Sequence, residues 1–493
     1  MVGFSTGMGP NAGQREGTVV HKNGWTGSAV RYGPGMCYLN AIRPQASSMR
    51  TIVKMPVETP MNRRRLVLWQ GLTIALLFIG YAGYYLCRSD FSVSLPLIID
   101  EMVAHGMSPA EAKIRLGAIT SFAVLAYAIG KFFFAGVADF LGGRRNFLIG
   151  MGGSILFTLL FSLGGGVPIF TLAWMGNRLV QSTGWAGMVK ITSRWFSFSS
   201  YGAVMGAISL SYLFGDAAAR QFMGFLIGHG FGWRSVFQVA AGTLSVIFVA
   251  NLLLLKESRA QLGLGEPEVN PLNLFGAEGS DPKPSSLRDL LSPLFRSSAF
   301  WIVCALSLGT TLVRETFNTW TPTYFNQVVG YSKAESAGMS AVFPLFGGVS
   351  VLLSGFLSDR LGRNGRSAIM FYSLLLSSVA LFALGSLRAS AGHGLPALLV
   401  GLVGFLIIGP YAYLAGAIAL DFGGKHGSAT TSGIIDGVGY LGGILAGGTV
   451  ARISVSFGWT GAFLALAGVA LLSSGAAALL FMGQRRVAVA QGV

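Results

Sequence analysis

Two arginines stand where a membrane would not tolerate them without purpose. Arg88 closes the stretch Gly80-Tyr-Ala-Gly-Tyr-Tyr-Leu-Cys-Arg88, and Arg314 sits in Thr310-Thr-Leu-Val-Arg314-Glu-Thr-Phe-Asn-Thr-Trp-Thr-Pro-Thr-Tyr324, both within long apolar runs. Helical spacing puts Tyr81, Tyr84 and Arg88 on one face, joining a fixed positive charge to phenolic donors. A guanidinium presents a planar fork of donors suited to an oxyanion. An ionisable residue inside a spanning helix costs at least about 2.5 kcal/mol, so each one asks for a function. The others are Asp90, Lys131, Asp216, Arg220, Glu315 and Asp436, with Tyr212 as a polar companion. Inward-facing arginines without a full complement of carboxylates make an anion site; sulfate, carboxylate and phosphate remain open on these residues alone. The plainest reading of Asp216, Glu315 and Asp436 is pairing with Arg220, Lys131 or one another.

The elements that position these residues follow from composition. Hydrophobic residues make up 52% of the chain and charged ones 11%, and the mean hydropathy is +0.61, far from the balance of a soluble globular protein. A spanning helix needs about 20 mostly apolar residues. Twelve such stretches run from Leu66 to Met482, and Gly, at 70 of 493 residues, lets membrane helices approach and bend. The expected fold is an all-α membrane protein of twelve transmembrane helices in two six-helix halves. Residues 1–62 form an N-terminal extension without an apolar run, expected to be disordered and cytoplasmic; internal methionines at Met49, Met55 and Met61 and the lack of an apolar core argue against a signal peptide. The first half covers 63–256, a Pro-, Asp-, Ser- and Gly-rich cytoplasmic linker 257–297, the second half 298–484 and a cytoplasmic tail 485–493.

The halves carry a repeat. Gly-Val-Ala-Asp-Phe-Leu-Gly-Gly-Arg-Arg at 136–145 matches Gly-Phe-Leu-Ser-Asp-Arg-Leu-Gly-Arg at 355–363, so that Asp139 and Asp359 lie 220 residues apart (359 − 139). Arg88 and Arg314 are 226 apart (314 − 88), close to that spacing, and a parallel repeat sets them across a central cavity. Asp139 with Arg144, and Asp359 with Arg363, are candidate gating groups, because an aspartate at a helix end can pair with nearby arginines and with a neighbouring helix N-terminus. The formal charge of +16 is spread over short basic runs beside apolar segments at alternate loops, which argues for membrane topology with both termini cytoplasmic and against nucleic-acid binding. Cys37, Cys87 and Cys304 have no metal-ligand spacing, and no catalytic constellation, nucleotide loop or cofactor signature is visible, so no enzyme activity, metal or cofactor is expected.

The segment Tyr81 to Pro96, the run Tyr127-Ala-Ile-Gly-Lys131-Phe-Phe-Phe, the segment Arg314 to Tyr324 and Gly437-Val-Gly-Tyr-Leu-Gly-Gly443 resemble the organophosphate:inorganic phosphate antiporter family of the major facilitator superfamily, in order and spacing from about residue 66 to 485. That resemblance implies the major facilitator fold, with the halves related by a pseudo-two-fold axis, in a bacterial inner (plasma) membrane. It implies a monomer that exchanges a phosphorylated organic anion for inorganic phosphate by alternating access. It assigns Arg88 and Arg314 as the phosphate pair and Lys131 as a third basic group. Tyr84, Tyr85, Tyr212, Trp320, Tyr324, Asp436 and Tyr440 are the candidates for reading the organic moiety. The chain departs from the family at Ser89, where Lys is common, at Tyr212, where glycerol-phosphate transporters carry His, and at Asp436, usually a small residue. Each change makes the cavity less positive. Two other functions stay open: a proton-coupled transporter of another organic anion using Asp216, Glu315 or Asp436, and a sugar-phosphate sensor of the same family.

Overall fold

The computed structural model describes the backbone of residues 17–20, 26–29, 60–265, 267, 287–361, 363–387 and 392–490. Met1–Glu58 and Thr59–Val493 are separate compact units. In the first, β1 (Gly17–Val20) and β2 (Thr26–Ala29) form an antiparallel hairpin with Gly17 opposite Ala29. The segment expected to lack structure thus carries one short hairpin among its described residues.

The second unit is helical, as lipid demands: each backbone polar group without water must find its partner within its own segment. The first half consists of α1 (Pro60–Tyr84), α2 (Leu86–Ala104), α3 (Pro109–Leu141), α4 (Gly143–Leu163), α5 (Val167–Trp195), α6 (Phe198–Gly228) and α7 (Trp233–Leu254). A short α8 (Leu287–Arg296) precedes α9 (Ser298–Tyr324), α10 (Lys333–Met339), α11 (Val342–Leu361), α12 (Arg363–Ser386), α13 (Gly394–Tyr413), α14 (Ala419–Ser456) and α15 (Gly458–Ala490). Among the described residues, ten stretches are long and apolar enough to cross a membrane, α1 with α2 counting as one of 42 residues and α10 with α11 as another. The remaining two of the twelve spans are α5 and α6, which fall short in apolarity because they carry Asn177, Arg178 and Gln181, and Asp216, Arg220 and Gln221.

Several helices outrun their apolar stretches. The first span continues through Asp100 and Glu101 to Ala104, and α14 starts at Ala419, ahead of Asp421, Lys425 and His426. Hydropathy marks where hydrocarbon begins, whereas the hydrogen-bonded ladder continues into polar sequence until a breaker stops it.

The halves meet most closely on the side of the α2–α3 turn, away from the start of α1. There α3 and α14 touch backbone to backbone: a Cβ on Gly117 would lie 2.9 Å from the Gly447 carbonyl oxygen. Ser121 Oγ donates to Ile444 O (2.6 Å) and accepts from Gly448 N (2.9 Å). Lys113 Nζ lies 4.0 Å from the centre of the Trp459 ring and donates to Gln327 Oε1 (3.3 Å), while Lys333 pairs with Asp100. These contacts shut the far side of the molecule.

At the start of α4 the described residues show the surroundings of Arg144 but not its expected aspartate partner. The side chains of Asp139, Asp359 and Arg363 lie outside the described residues. The Arg144 guanidinium meets no carboxylate among the described residues; its Nε donates to Leu255 O (2.6 Å) and its Nη2 to Leu252 O (2.5 Å), covering the free carbonyls at the end of α7. The acid at this corner is Glu257, which accepts from Gly143 N (2.9 Å) and Arg144 N (2.6 Å) and pairs with Arg194 (3.4 Å). Gly142, at φ +88°, supplies the left-handed turn that brings α4's first amides to it.

Candidate functional site

The site begins with a break in the first span. Between α1 and α2, Cys87 leaves helical geometry (φ −93°, ψ 22°). The ladder rung that links Phe91 N to Cys87 O in a regular helix has side-chain bonds at both ends: Phe91 N donates to Asp90 Oδ1 (2.8 Å), and Cys87 O accepts from Gln181 Nε2 on α5 (2.8 Å). Side-chain insertion of this kind kinks a helix. The kink changes the phase of the tyrosines relative to Arg88. Tyr84 turns away from the cavity and donates its hydroxyl to Phe147 O (2.5 Å), whereas Tyr85 faces it with the Arg88 guanidinium 5.3 Å from its ring centre. The expectation that Tyr84 shares the face of Arg88 is corrected by that break.

Arg88 lines a central cavity of about 50 Å³, together with Ser89, Ser92, Arg178, Tyr212, Asp216, Arg220, Arg314, Glu315, Asn318 and Thr319. Space on that measure suits a few water molecules at roughly 10–15 Å³ each. The cavity is therefore contracted. Arg88 also lies over the Tyr127 ring (4.8 Å) and, among the described residues, makes no ion pair. Arg314 projects from α9, its Nη2 on Glu315 Oε1 (2.8 Å), its guanidinium 4.1 Å from the centre of the Tyr411 ring and its buried Nε without a partner. Asp216 takes Arg220 Nε (2.8 Å) and the hydroxyl of Ser89. Arg220 goes on to reach the second half through Ser340 Oγ (3.1 Å) and Asn318 O (2.9 Å), beside Ser92 Oγ, which donates to Asn318 O (2.7 Å) and Thr319 O (2.8 Å).

The structure brings Arg88, Arg314, Tyr85 and Tyr212 to one cavity together with the intramembrane charges Asp216, Arg220 and Glu315, and separates Lys131, Tyr84, Trp320, Tyr324, Asp436 and Tyr440 from it. Lys131 on α3 pairs with Asp436 on α14 (2.7 Å), and Tyr127 meets Tyr440 edge-on at 5.3 Å. These four bridge the halves on the side of the cavity nearer the start of α1, and none of them lines it. Tyr411 joins the two groups, with its ring against Arg314 and its hydroxyl donating to Asp436 Oδ1 (3.3 Å). Trp320 and Tyr324 are packing residues: Trp320 Nε1 donates to Ala446 O (3.0 Å), and Tyr324 packs against Trp459 and Phe463.

Two residues escaped the reading of the sequence. Arg178 lies in the middle of α5, buried and cavity-lining, and meets the same criterion that singled out Arg88: a charge inside a span. Glu257 lies just past the end of α7, where an acid can cap a neighbouring helix, here the start of α4.

Comparison with known proteins agrees with the fold. The profile of the Major Facilitator Superfamily matches residues 77–447. A probable hexose phosphate transport protein of Chlamydia pneumoniae is 25% identical over 421 residues, covering 82% of this chain and 90% of the relative. The glycerol-3-phosphate transporter of Bacillus subtilis is 25% identical over 445 residues, covering 88% and 96%, and the membrane sensor protein UhpC of Escherichia coli is 22% identical over 446, covering 88% and 98%. Among solved structures, a point mutant of the nucleoside transporter NupG superposes with a TM-score of 0.64 at 14% identity, over 83% of this chain and 100% of its own. An inward-facing, unoccupied bacterial homologue of the human lysosomal transporter Spinster gives 0.62 at 16%, over 85% and 97%.

Proposed function

The chain belongs to the Major Facilitator Superfamily, and on that footing we propose that it exchanges an organic phosphate ester for inorganic phosphate, with Arg88 and Arg314 as ligands of the phosphoryl group. One observation carries the reading: Arg88, inside the membrane and facing the same cavity as Arg314, has no carboxylate partner among the described residues. The named relatives support the ligand class, since they include hexose phosphate and glycerol-3-phosphate transport proteins.

The physics of that cavity favours exchange over leak. Closing an empty cavity over an unmatched cation leaves it desolvated, at a cost of several kcal/mol per ion, whereas a bound oxyanion offsets the charge. The loaded protein then rocks between its two openings and the empty one is held back. The far-side contacts and the Lys131–Asp436 bridge lie on opposite sides of the cavity, as an alternating mechanism requires of its two gates. Both carboxylates that line the cavity, Asp216 and Glu315, are engaged by arginines, which disfavours a proton-carrying role for either. In this reading Tyr212, Ser89 and Asp216 are placed to meet the organic part.

The test is counterflow in proteoliposomes loaded with labelled inorganic phosphate, against a panel of sugar phosphates, glycerol phosphates and phosphoglycerates. Exchange is expected with at least one ester and is lost in Arg88→Ala and Arg314→Ala. Efflux into substrate-free buffer at the exchange rate, or normal phosphate exchange by either variant, overturns the reading.

A further inference from the structure

The geometry points to Arg178 as a third oxyanion ligand, paired with Arg88 on the first half, and to a doubly charged phosphate as the anion the cavity takes. This rests on the phosphate reading above and specifies which side of the cavity holds the charge. Four arginines line the cavity, Arg88, Arg178, Arg220 and Arg314, against two carboxylates, Asp216 and Glu315, which leaves a formal +2. The surplus is not shared evenly. Arg220 is paired with Asp216 and Arg314 with Glu315, so among the described residues the two unmatched guanidiniums are those of Arg88 and Arg178.

Arg178 is 7% exposed, and its Nε and Nη1 are buried without a hydrogen-bond partner. Its guanidinium lies 5.5 Å from the centre of the Trp174 ring, which also lines the cavity. Asp90, fully buried on α2, is the nearby acid that could have matched it, but its Oδ1 is engaged by Phe91 N, it forms no ion pair among the described residues, and it does not line the cavity. Buried donors left without partners are costly unless something visits them, and two forks of N–H groups lining one cavity suit a tetrahedral dianion better than a single negative charge. Arg314, already half-satisfied by Glu315, then closes on the anion from the second half.

The experiment is equilibrium binding of radiolabelled inorganic phosphate to the purified full-length protein, with sulfate and nitrate as doubly and singly charged competitors. Wild type is expected to be displaced by sulfate in preference to nitrate. Arg178→Gln should bind phosphate about tenfold more weakly or worse and lose the preference for sulfate, while Arg178→Lys, which keeps the charge but not the fork, should recover the preference for sulfate and part of the affinity. The melting temperature of ligand-free Arg178→Gln should equal or exceed that of wild type, because an unmatched buried cation has been removed. Unchanged phosphate affinity in Arg178→Gln overturns the proposal. So does an equal loss in Arg178→Gln and Arg178→Lys with lowered melting in both, which would make the residue a packing element. Arg88→Gln, measured alongside, separates the two readings: weakened binding there with none in Arg178→Gln sinks the role of Arg178 alone, while absence of phosphate binding by wild type sinks the transport reading as well.

Discussion

Lys131 and Asp436 carry opposite charges on helices from opposite halves, 2.7 Å apart, and their pairing recasts what each can do. A lysine bound to a carboxylate is less available to an oxyanion, so the pair acts first as a tie between α3 and α14. Neutralising one partner leaves the other charge unmatched in a partly dry place. With side chains 31% and 19% exposed, the expected loss is about 1–2 kcal/mol in Lys131→Met or Asp436→Leu alone. The double variant should regain most of the melting temperature, since both charges leave together. If Lys131 instead serves the anion directly, the double variant keeps its stability and still loses phosphate binding; a binding titration on the pair decides. Pairing of Lys131 with a carboxylate was among the readings the chain offered; which acid it meets was not legible, because 305 residues separate the partners. Arg88 and Arg314 were readable because charges are conspicuous inside their spans. Tyr84 misled because helical periodicity assumes an unbroken helix, and the break at Cys87 depends on a glutamine from α5 that no local pattern announces.

At the scale of the element, that break fixes the direction in which Arg88 points. Gln181→Leu removes the donor from Cys87 O and leaves a buried carbonyl unsatisfied, so stability should fall by about 1–3 kcal/mol in a detergent melt. Phosphate affinity should fall with it, because the arginine loses its orientation; an unchanged affinity would show that the α1–α2 junction holds its shape without α5. The α4 terminus is a separable case. Glu257→Ala strips the cap from Gly143 N and Arg144 N, and helix caps are worth about 1 kcal/mol. A lower melting temperature with unaltered phosphate binding is the expected outcome, since this corner lies apart from the cavity lining. Helix number and order were legible because hydrocarbon imposes its length on apolar runs. Helix ends were not, because α14 extends through Asp421, Lys425 and His426, residues that hydropathy counts as outside.

For the molecule as a whole, the described arrangement is shut on the far side by Lys333 with Asp100 and by Lys113 against Trp459. On the exchange proposed above, these contacts part in every cycle. Cysteines at Asp100 and Lys333, joined by a short bifunctional thiol reagent, should therefore stop exchange, and a cleavable reagent should restore it on reduction. Continued exchange in the cross-linked protein would exclude opening at this seam. Cys87 and Cys304 are buried and should not compete for the reagent, and Cys37→Ser in the same background removes the third cysteine. The formal surplus of +2 in the cavity has a further consequence, for the work the membrane voltage can do. Moving one unbalanced charge across 100 mV is worth about 2.3 kcal/mol. A cavity that returns with one dianion after carrying out another presents the same total charge in both directions, so the field neither drives nor opposes the cycle. Electrical recordings on proteoliposome layers should show no sustained current during exchange between two doubly charged phosphates, and should show one when a singly charged ester replaces either. The protein would then run on the two concentration gradients alone, indifferent to whether the cell is energised.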